Sequence, residues 1–168
     1  MYEPPQFIVR KDELSISGSA LIELLRDVLG KGAPFRFRTS GFSMFPFIKD
    51  GDLVTVSPML GSSPGLGDVV AFVQPGTRRL AIHRVIGEEG DSYWMRGDNS
   101  LQADGFIPKT SILGRVKRVE RNGKRVYLGL GPERFLIALL TRRGLVSHSF
   151  LPIWKIIHLL KKGWIRAW

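Results

Sequence analysis

Short apolar runs separated by glycine and proline are the feature that most limits how this chain can fold. Its 168 residues include nineteen glycines and ten prolines, and most of the apolar runs between them are too short for a typical helix. Short runs rich in β-branched and aromatic residues, bounded by turn residues, are typical of β-strands. The sequence therefore predicts a mainly β protein.

Five segments fit this strand pattern, and a sixth forms a hairpin. The five segments are residues 35–39, 53–57, 69–73, 80–87 and 92–96. The hairpin covers residues 115–128, where Asn122-Gly123 can supply the positive φ angles of a two-residue turn. Together they predict one β domain over residues 33–131.

Helical periodicity is confined to the two ends of the chain. Residues 19–29 place their apolar side chains on one face and predict an amphipathic helix within an N-terminal segment, 1–32. One such helix is too little for a helix-turn-helix DNA reader, so we expect it to cover one end of the sheet. A second helix is predicted from Pro132 to about Arg142, because proline favours the first helical position.

The C-terminal segment, residues 132–168, is strongly basic. It holds seven Lys/Arg and one acidic residue, within a net charge of +10 for the chain. A helix predicted from about Pro152 would align large apolar side chains opposite cations, and such a face can lie on an anionic membrane surface. The same face could instead pack on the β domain or on a partner chain. Nucleic acid is disfavoured, because aliphatic residues in the segment outnumber the aromatic platforms that strand binding would use.

Neither a secretory signal nor a run of about 18 apolar residues, the minimum for a spanning helix, occurs in the chain. We therefore expect a cytoplasmic protein, peripheral on the membrane if residues 132–168 bind lipid. The absence of cysteine excludes disulfides and thiolate zinc sites. Without an HExxH motif or a cluster of carboxylates and histidine, we expect no metal and no cofactor.

Three residues carry the groups needed to activate a hydroxyl. Ser43 lies in the turn-rich stretch GFSMFPFIKDGD, and a serine needs a neighbouring base to act as a nucleophile at pH 7. His83 is the candidate base, since partial burial in its strand would favour the neutral imidazole. A carboxylate must then orient the imidazole. Asp104 is preferred over Asp98, whose RGDNS setting favours a bond to its own turn, but the residues alone leave both open.

Five motifs follow one another in a familiar order. They are GFSMFPFIKDGDLVTV from residue 41, GDVVAFV from 67, AIHRVIG from 81, RGDNSLQADGF from 96 and ILGRV from 112. The first resembles the serine box of the type I signal peptidases and the serine region of the LexA-like self-cleaving repressors, and the others match the later boxes. The resemblance covers roughly residues 35–118 and implies a signal peptidase/LexA-like β fold.

The resemblance implies a role for each candidate residue. Ser43 would be the nucleophile, His83 the general base and Asp104 the orienting acid. The supporting residues would be Asp98, beside the site, and the G-x-S-M-x-P residues Gly41, Met44 and Pro46. The backbone N–H of the serine would help to form the oxyanion hole.

The setting of the base indicates a branch of the family. His83-Arg84-Val85 is similar to the H-R-V of the archaeal and endoplasmic-reticulum branch, whereas the bacterial housekeeping enzymes and the repressors use a lysine. Two features depart from the signal peptidases. Gly41 replaces a serine that can donate to the oxyanion hole, as it does in the repressors, and no spanning helix precedes the serine box.

We therefore expect a serine endopeptidase that cleaves an extended peptide or precursor segment, with small residues such as alanine before the cleaved bond. One alternative is a regulatory protein that cleaves only itself, which Gly41 favours and the missing DNA-binding region disfavours. The other is a non-enzymatic peptide-binding module on the same fold.

Overall fold

The computed structural model describes residues 7–8 and 18–146, and within these ranges the protein is mainly β, as predicted. The described residues form nine strands, two α-helices and one 3-10 helix. In chain order they are β1 (Phe7–Ile8), α1 (Gly18–Gly30), β2 (Phe35–Arg38), β3 (Leu53–Ser57), β4 (Val69–Val73), β5 (Leu80–Glu89), β6 (Ser92–Arg96), β7 (Gly105–Pro108), the 3-10 helix (Lys109–Ser111), β8 (Ile112–Arg121), β9 (Lys124–Val126) and α2 (Arg134–Arg142).

The strands form one sheet in the order β1-β2-β3-β8-β4-β5-β6-β7, and β9 also pairs with β8. Every pairing is antiparallel except that of β1 with β2. The ten-residue β8 joins the two halves, since residues 115–120 pair with β3 and residues 112–115 pair with β4. Because β8 spans both halves of the sheet, the segment between β2 and β3 lies close to β5.

The strands predicted from the sequence correspond to β2 through β6, and the predicted hairpin is formed by β8 and β9. Asn122 and Gly123 take φ angles of 51° and 73°, which a two-residue hairpin turn requires. The prediction missed β1 and β7. The four residues of β7 begin with glycine and end with proline, and they are extended because they pair with β6.

The helix predicted at residues 19–29 is α1, and it covers one face of the sheet beside β2 and β8. Leu25 and Leu29 of α1 are buried in the main core with Phe35 and Val54. This core lies directly beneath the segment that carries Ser43. The helix therefore packs in the same core as the buried side chains of that segment.

The helix predicted from Pro132 is α2, which begins at Arg134 and packs against β5. Its buried Ile137 forms a small cluster with Phe47 and Val146. The helix predicted from about Pro152 lies outside the described residues, and the division of the chain into three domains stays a prediction. None of the helices within residues 18–146 is long and apolar enough to cross a membrane.

A fully buried ion pair connects α2 to the sheet and to the loop after β6. Arg84 of β5 donates two hydrogen bonds to the Asp98 carboxylate, at 2.8 and 2.6 Å, and neither side chain is exposed to solvent. The Arg84 guanidinium also donates to the carbonyl oxygens of Gly67 and Gly129. On the opposite side, the Thr141 hydroxyl of α2 donates to Asp98 at 2.9 Å. Segments distant in sequence thus meet at one charge pair.

The turn that presents the Gly129 carbonyl is closed by Glu133. Its carboxylate accepts hydrogen bonds from the N–H groups of Gly129 and Gly131, at 2.7 and 3.0 Å. Hydrogen bonds from the backbone N–H groups of Glu133 itself, Gly129 and Gly131 lower the pKa of this carboxyl group. The carboxylate therefore stays charged and holds the turn over the neutral pH range.

Thr141→Val should destabilise the protein, because it deletes a hydroxyl donor to a buried carboxylate while keeping the side-chain volume. We expect the free energy of unfolding to fall by about 1–3 kcal/mol, measured by urea denaturation. The exposed Thr110→Val is the matched control and should be close to neutral. Equal unfolding midpoints for the two variants would contradict the role given to α2.

Candidate active site

Ser43 lies in a compact series of turns between β2 and β3. Met44 and Ile48 are buried beneath it, and the Ile48 N–H donates to the Met44 carbonyl at 3.0 Å. Gly41 takes a φ of +100°, a conformation that favours glycine, and its N–H donates to the Asp50 carboxylate. The apolar side chains thus anchor the segment from below and leave the serine exposed.

The remaining residue of the predicted serine motif, Pro46, is half-buried in the same series of turns, and the peptide bond before it is cis. The neighbouring Phe47 ring is buried and lies 5.6 Å from the Arg84 guanidinium. The segment that carries Ser43 therefore contacts the buried ion pair through Phe47.

His83, the predicted base, lies in β5 within hydrogen-bond distance of the serine. Its Nε2 lies 3.0 Å from Ser43 Oγ, and its Nδ1 lies 2.6 Å from Asp104 Oδ2. The histidine and aspartate side chains are 12% and 10% exposed, and the imidazole lies beside the Phe72 ring. Asp104 is positioned by its own N–H, which donates to the Met95 carbonyl of β6. The three side chains form one continuous hydrogen-bonded series.

The direction of the hydrogen bonds follows from the groups involved. An ionised Asp104 can only accept, so Nδ1 of His83 carries the proton and donates it. Nε2 is then an acceptor and takes a hydrogen bond from the Ser43 hydroxyl. This arrangement can remove the hydroxyl proton during a nucleophilic attack by the serine oxygen.

The two aspartates that the sequence left open have different partners. Asp104 bonds His83, whereas Asp98 bonds Arg84 and Thr141. Sequence reasoning gave Arg84 no function, although a single charged residue in an apolar strand run was a signal. Its role is to hold Asp98, and with it the loop that follows β6.

That loop holds the serine segment in place. The Asn99 N–H donates to the Ser43 carbonyl at 2.7 Å, and the Asn99 side chain donates to the Phe42 carbonyl at 3.2 Å. The Arg96 guanidinium in turn donates to the carbonyl oxygens of Ser100 and Leu101. Sequence reasoning missed these contacts, because they depend on how the loop folds back.

Gly97 allows the loop to approach the site closely. A Cβ atom at this position would lie 2.7 Å from the Ser43 carbonyl oxygen and 3.0 Å from His83 Nε2, and it would also meet the Ser100 hydroxyl. A side chain there must therefore displace the serine, the histidine or the loop. The glycine before Asp98 was the only sequence signal of this contact.

The backbone N–H of Ser43 is available to a ligand. Within residues 18–146 it has no hydrogen-bond acceptor, although the carbonyl group of the same residue does have a donor. An unpaired N–H beside a nucleophile can stabilise the negative charge that develops on a substrate carbonyl oxygen. No group of three or more acidic or histidine side chains in the described ranges could hold a metal ion.

A groove of about 560 Å³ opens beside Ser43 and His83. Its apolar lining comes from α1, β2, the serine segment and β5, namely Leu21, Phe37, Met44, Ile48, Leu80, Ala81 and Ile82. The register of β5 with β6 begins at Arg84, so residues 80–83 pair with β4 on one side only within the described chain. No described strand occupies their other backbone edge, which can therefore accept an additional strand.

Together, the fold and the site define a class of protein: a mainly β protein with a serine-peptidase type of site beside a peptide-sized groove. The Peptidase S24-like family model matches residues 11–117, which include Ser43, His83 and Asp104, and the chain belongs to this family. Members of the family are serine peptidases. Comparison with curated proteins gives no match.

Gly97→Ala should reduce the reactivity of Ser43, because the added methyl group would push the serine and histidine apart. We expect covalent labelling by a fluorophosphonate to slow by at least about tenfold, since small misplacements of reacting groups are costly. The rate is measured by intact-protein mass spectrometry. Gly65→Ala is the control, because its Cβ would meet no atom within 4 Å. Equal labelling rates for the two variants would contradict the close approach of Gly97 to Ser43 and His83.

Proposed function

We propose that the protein is a serine endopeptidase of signal peptidase-like type, which cleaves an extended peptide or precursor segment through an acyl-enzyme on Ser43. The observation that carries the proposal is the series from Ser43 to His83 and Asp104, with distances of 3.0 and 2.6 Å. Membership of a family of serine peptidases supports the reaction class.

In the proposed reaction, Nε2 of His83 takes the Ser43 proton as the serine oxygen attacks the scissile carbonyl carbon. Asp104 stabilises the imidazolium that results, and the Ser43 N–H donates to the oxyanion, an interaction worth about 3–4 kcal/mol per donor. The imidazolium then protonates the leaving amine. Water removes the acyl group by the same route, with His83 again as the base.

We further propose that the chain belongs to the histidine branch of the signal peptidases. His83-Arg84-Val85 matches that branch, and His83 is in contact with the serine oxygen. Lys49 also lines the groove, but its ammonium group lies over the Phe45 ring, 5.4 Å from the ring centre. A histidine base therefore fits the geometry better than a lysine base.

The proposed substrate is an extended segment that pairs with the open edge of residues 80–83. This edge leads to His83, so a peptide strand bound along it would reach the serine oxygen. From the resemblance to signal peptidases we expect small residues such as alanine before the cleaved bond. A non-enzymatic peptide-binding module would use the same edge without cleavage.

Ser43→Ala should abolish peptide cleavage, because it removes the nucleophile. His83→Ala and Asp104→Ala should lower kcat by about 10³–10⁶-fold, since the three groups act as a unit. Asp104→Asn should also lower kcat, and the exposed Asp91→Asn, which should retain activity, is its control. Asp98→Asn should lower kcat of the folded protein less than Asp104→Asn, because Asp98 does not contact His83, but it should destabilise the fold by weakening the buried pair with Arg84. The rates are measured on a library of candidate precursor peptides.

Undiminished cleavage by the Ser43→Ala protein would overturn the mechanism. Incubation of the purified chain alone tests the self-cleaving alternative, since two fragments without added substrate would favour it. Binding of peptides without cleavage by the wild-type protein would instead favour the binding module.

We also propose that residues 132–168 contact an anionic membrane surface. Phe135, Leu136 and Leu139 of α2 are 47%, 61% and 43% exposed, and the exposed Arg142 and Arg143 follow them. Exposed apolar side chains beside arginines are suited to the headgroup region of an anionic bilayer.

Leu136→Glu combined with Leu139→Glu should weaken binding of the full chain to vesicles, because both changes place charge on the exposed apolar face. We expect at least about a tenfold loss, measured by co-sedimentation with phosphatidylglycerol-containing vesicles. Leu60→Glu, at a position that is 79% exposed outside α2, is the control. Equal binding by all three proteins, or binding to neutral vesicles only, would contradict the proposal.

A further inference from the structure

The groove beside Ser43 and His83 is cationic at its rim. Four of its lining residues are Arg38, Lys49, Arg78 and Arg79, and no aspartate or glutamate is among the described residues that line it. Grooves with one sign of charge and apolar walls concentrate the electrostatic field. The groove therefore offers an extended ligand an apolar floor and a positive rim.

These four cations differ from most arginines of the sheet in forming no ion pair with a carboxylate of the described residues. Within the described ranges, ion pairs neutralise the sheet residues Arg36, Arg84, Arg115 and Arg121, whereas the four rim residues form none. The Arg38 guanidinium donates to the Gly51 carbonyl, and Arg38 and Lys49 also line a second pocket with Asp50, Asp52 and Glu120, so the two rim residues outside this second pocket are Arg78 and Arg79. The nearby Asp50 carboxylate accepts from the Gly41 N–H and does not line the groove.

Arg78 and Arg79 occupy a defined place in relation to the open edge of β5. They end the turn after β4, which is closed by hydrogen bonds from the Gln74 N–H to the Arg79 carbonyl and from the Arg78 N–H to the Gln74 carbonyl. Both arginines are exposed and directly precede residues 80–83, which pair with β4 on one edge and with no described strand on the other. At about 3.3 Å per residue, Arg79 lies about 13 Å from His83 along the strand.

We propose that the groove selects acidic peptides, with Asp or Glu side chains about three to five residues from the scissile bond. A peptide strand paired with residues 80–83 would pass the two arginines at that separation. The inference rests on the proposed peptidase function and adds the charge of its substrate. Because the rim is exposed, the attraction between one arginine and one peptide carboxylate is moderate, and it weakens as the salt concentration rises.

The test uses fluorogenic peptides that share one cleavage site. Each peptide carries two Glu, two Gln or two Lys residues at the third to fifth positions from the scissile bond. One set carries them before this bond, and a second set carries them after it. For the favoured side we expect kcat/KM for the Glu peptide to exceed that for the Lys peptide by about tenfold, with the Gln peptide between them. The preference should shrink between 50 mM and 500 mM salt, as screening predicts.

Arg78→Glu combined with Arg79→Glu should reverse the preference in favour of the Lys peptide. The matched control is Lys124→Glu combined with Arg125→Glu, which makes a similar charge change at an exposed adjacent pair outside the groove. This control should keep the preference for the Glu peptide. An unchanged preference in the groove variant, or the same change in both variants, would overturn the proposal.

Binding of the same peptides to the Ser43→Ala protein, measured by fluorescence anisotropy, separates this inference from the proposed function. Tighter binding of the Glu peptide without cleavage by the wild-type protein would support the charge selection and overturn the peptidase. Cleavage of all three peptides at equal rates would support the peptidase and overturn the charge selection. If no peptide is bound or cleaved, both proposals are wrong.

Discussion

The buried pair of Arg84 and Asp98 is the interaction on which the rest of the site depends. A buried ion pair stabilises a fold only when its remaining donors and acceptors are also bonded, because both charges have lost their water. Here the guanidinium also reaches two carbonyl groups, and the carboxylate also accepts from Thr141. The two paired residues are sequence neighbours of His83 and Asn99, so the pair sets the positions of His83 and the serine segment relative to each other.

Two aspartates of one loop thus have separate tasks. Asp104 bonds the imidazole and can respond to its charge during a reaction, whereas Asp98 is buried and bonds a permanent cation. Asn99, which follows Asp98, donates its N–H to the Ser43 carbonyl, so the position fixed by Asp98 also fixes that of the serine segment. The geometry of Ser43, His83 and Asp104 therefore depends on this loop as much as on the turns that carry the serine.

Local patterns predicted much of this structure, and long-range contacts account for what they missed. The strands β2 to β6, the Asn122-Gly123 turn and α1 have periodicity or turn chemistry of their own. In contrast, β7 becomes a strand by pairing with β6. The sequence presented Asp98 and Asp104 as two acids near one histidine. Which of them meets His83 depends on the fold of residues 97–104, and so does the close approach of Gly97.

The unpaired edge at residues 80–83 also bears on how copies of the chain meet one another. An open strand edge is a template for pairing with another chain, and natural sheets guard such edges with charged side chains. If two copies joined antiparallel through this edge, the Arg78 and Arg79 turns would add positive charge to an already cationic groove. Repulsion would then oppose edge-to-edge dimers and early aggregation, while the edge stays accessible to peptides of opposite charge.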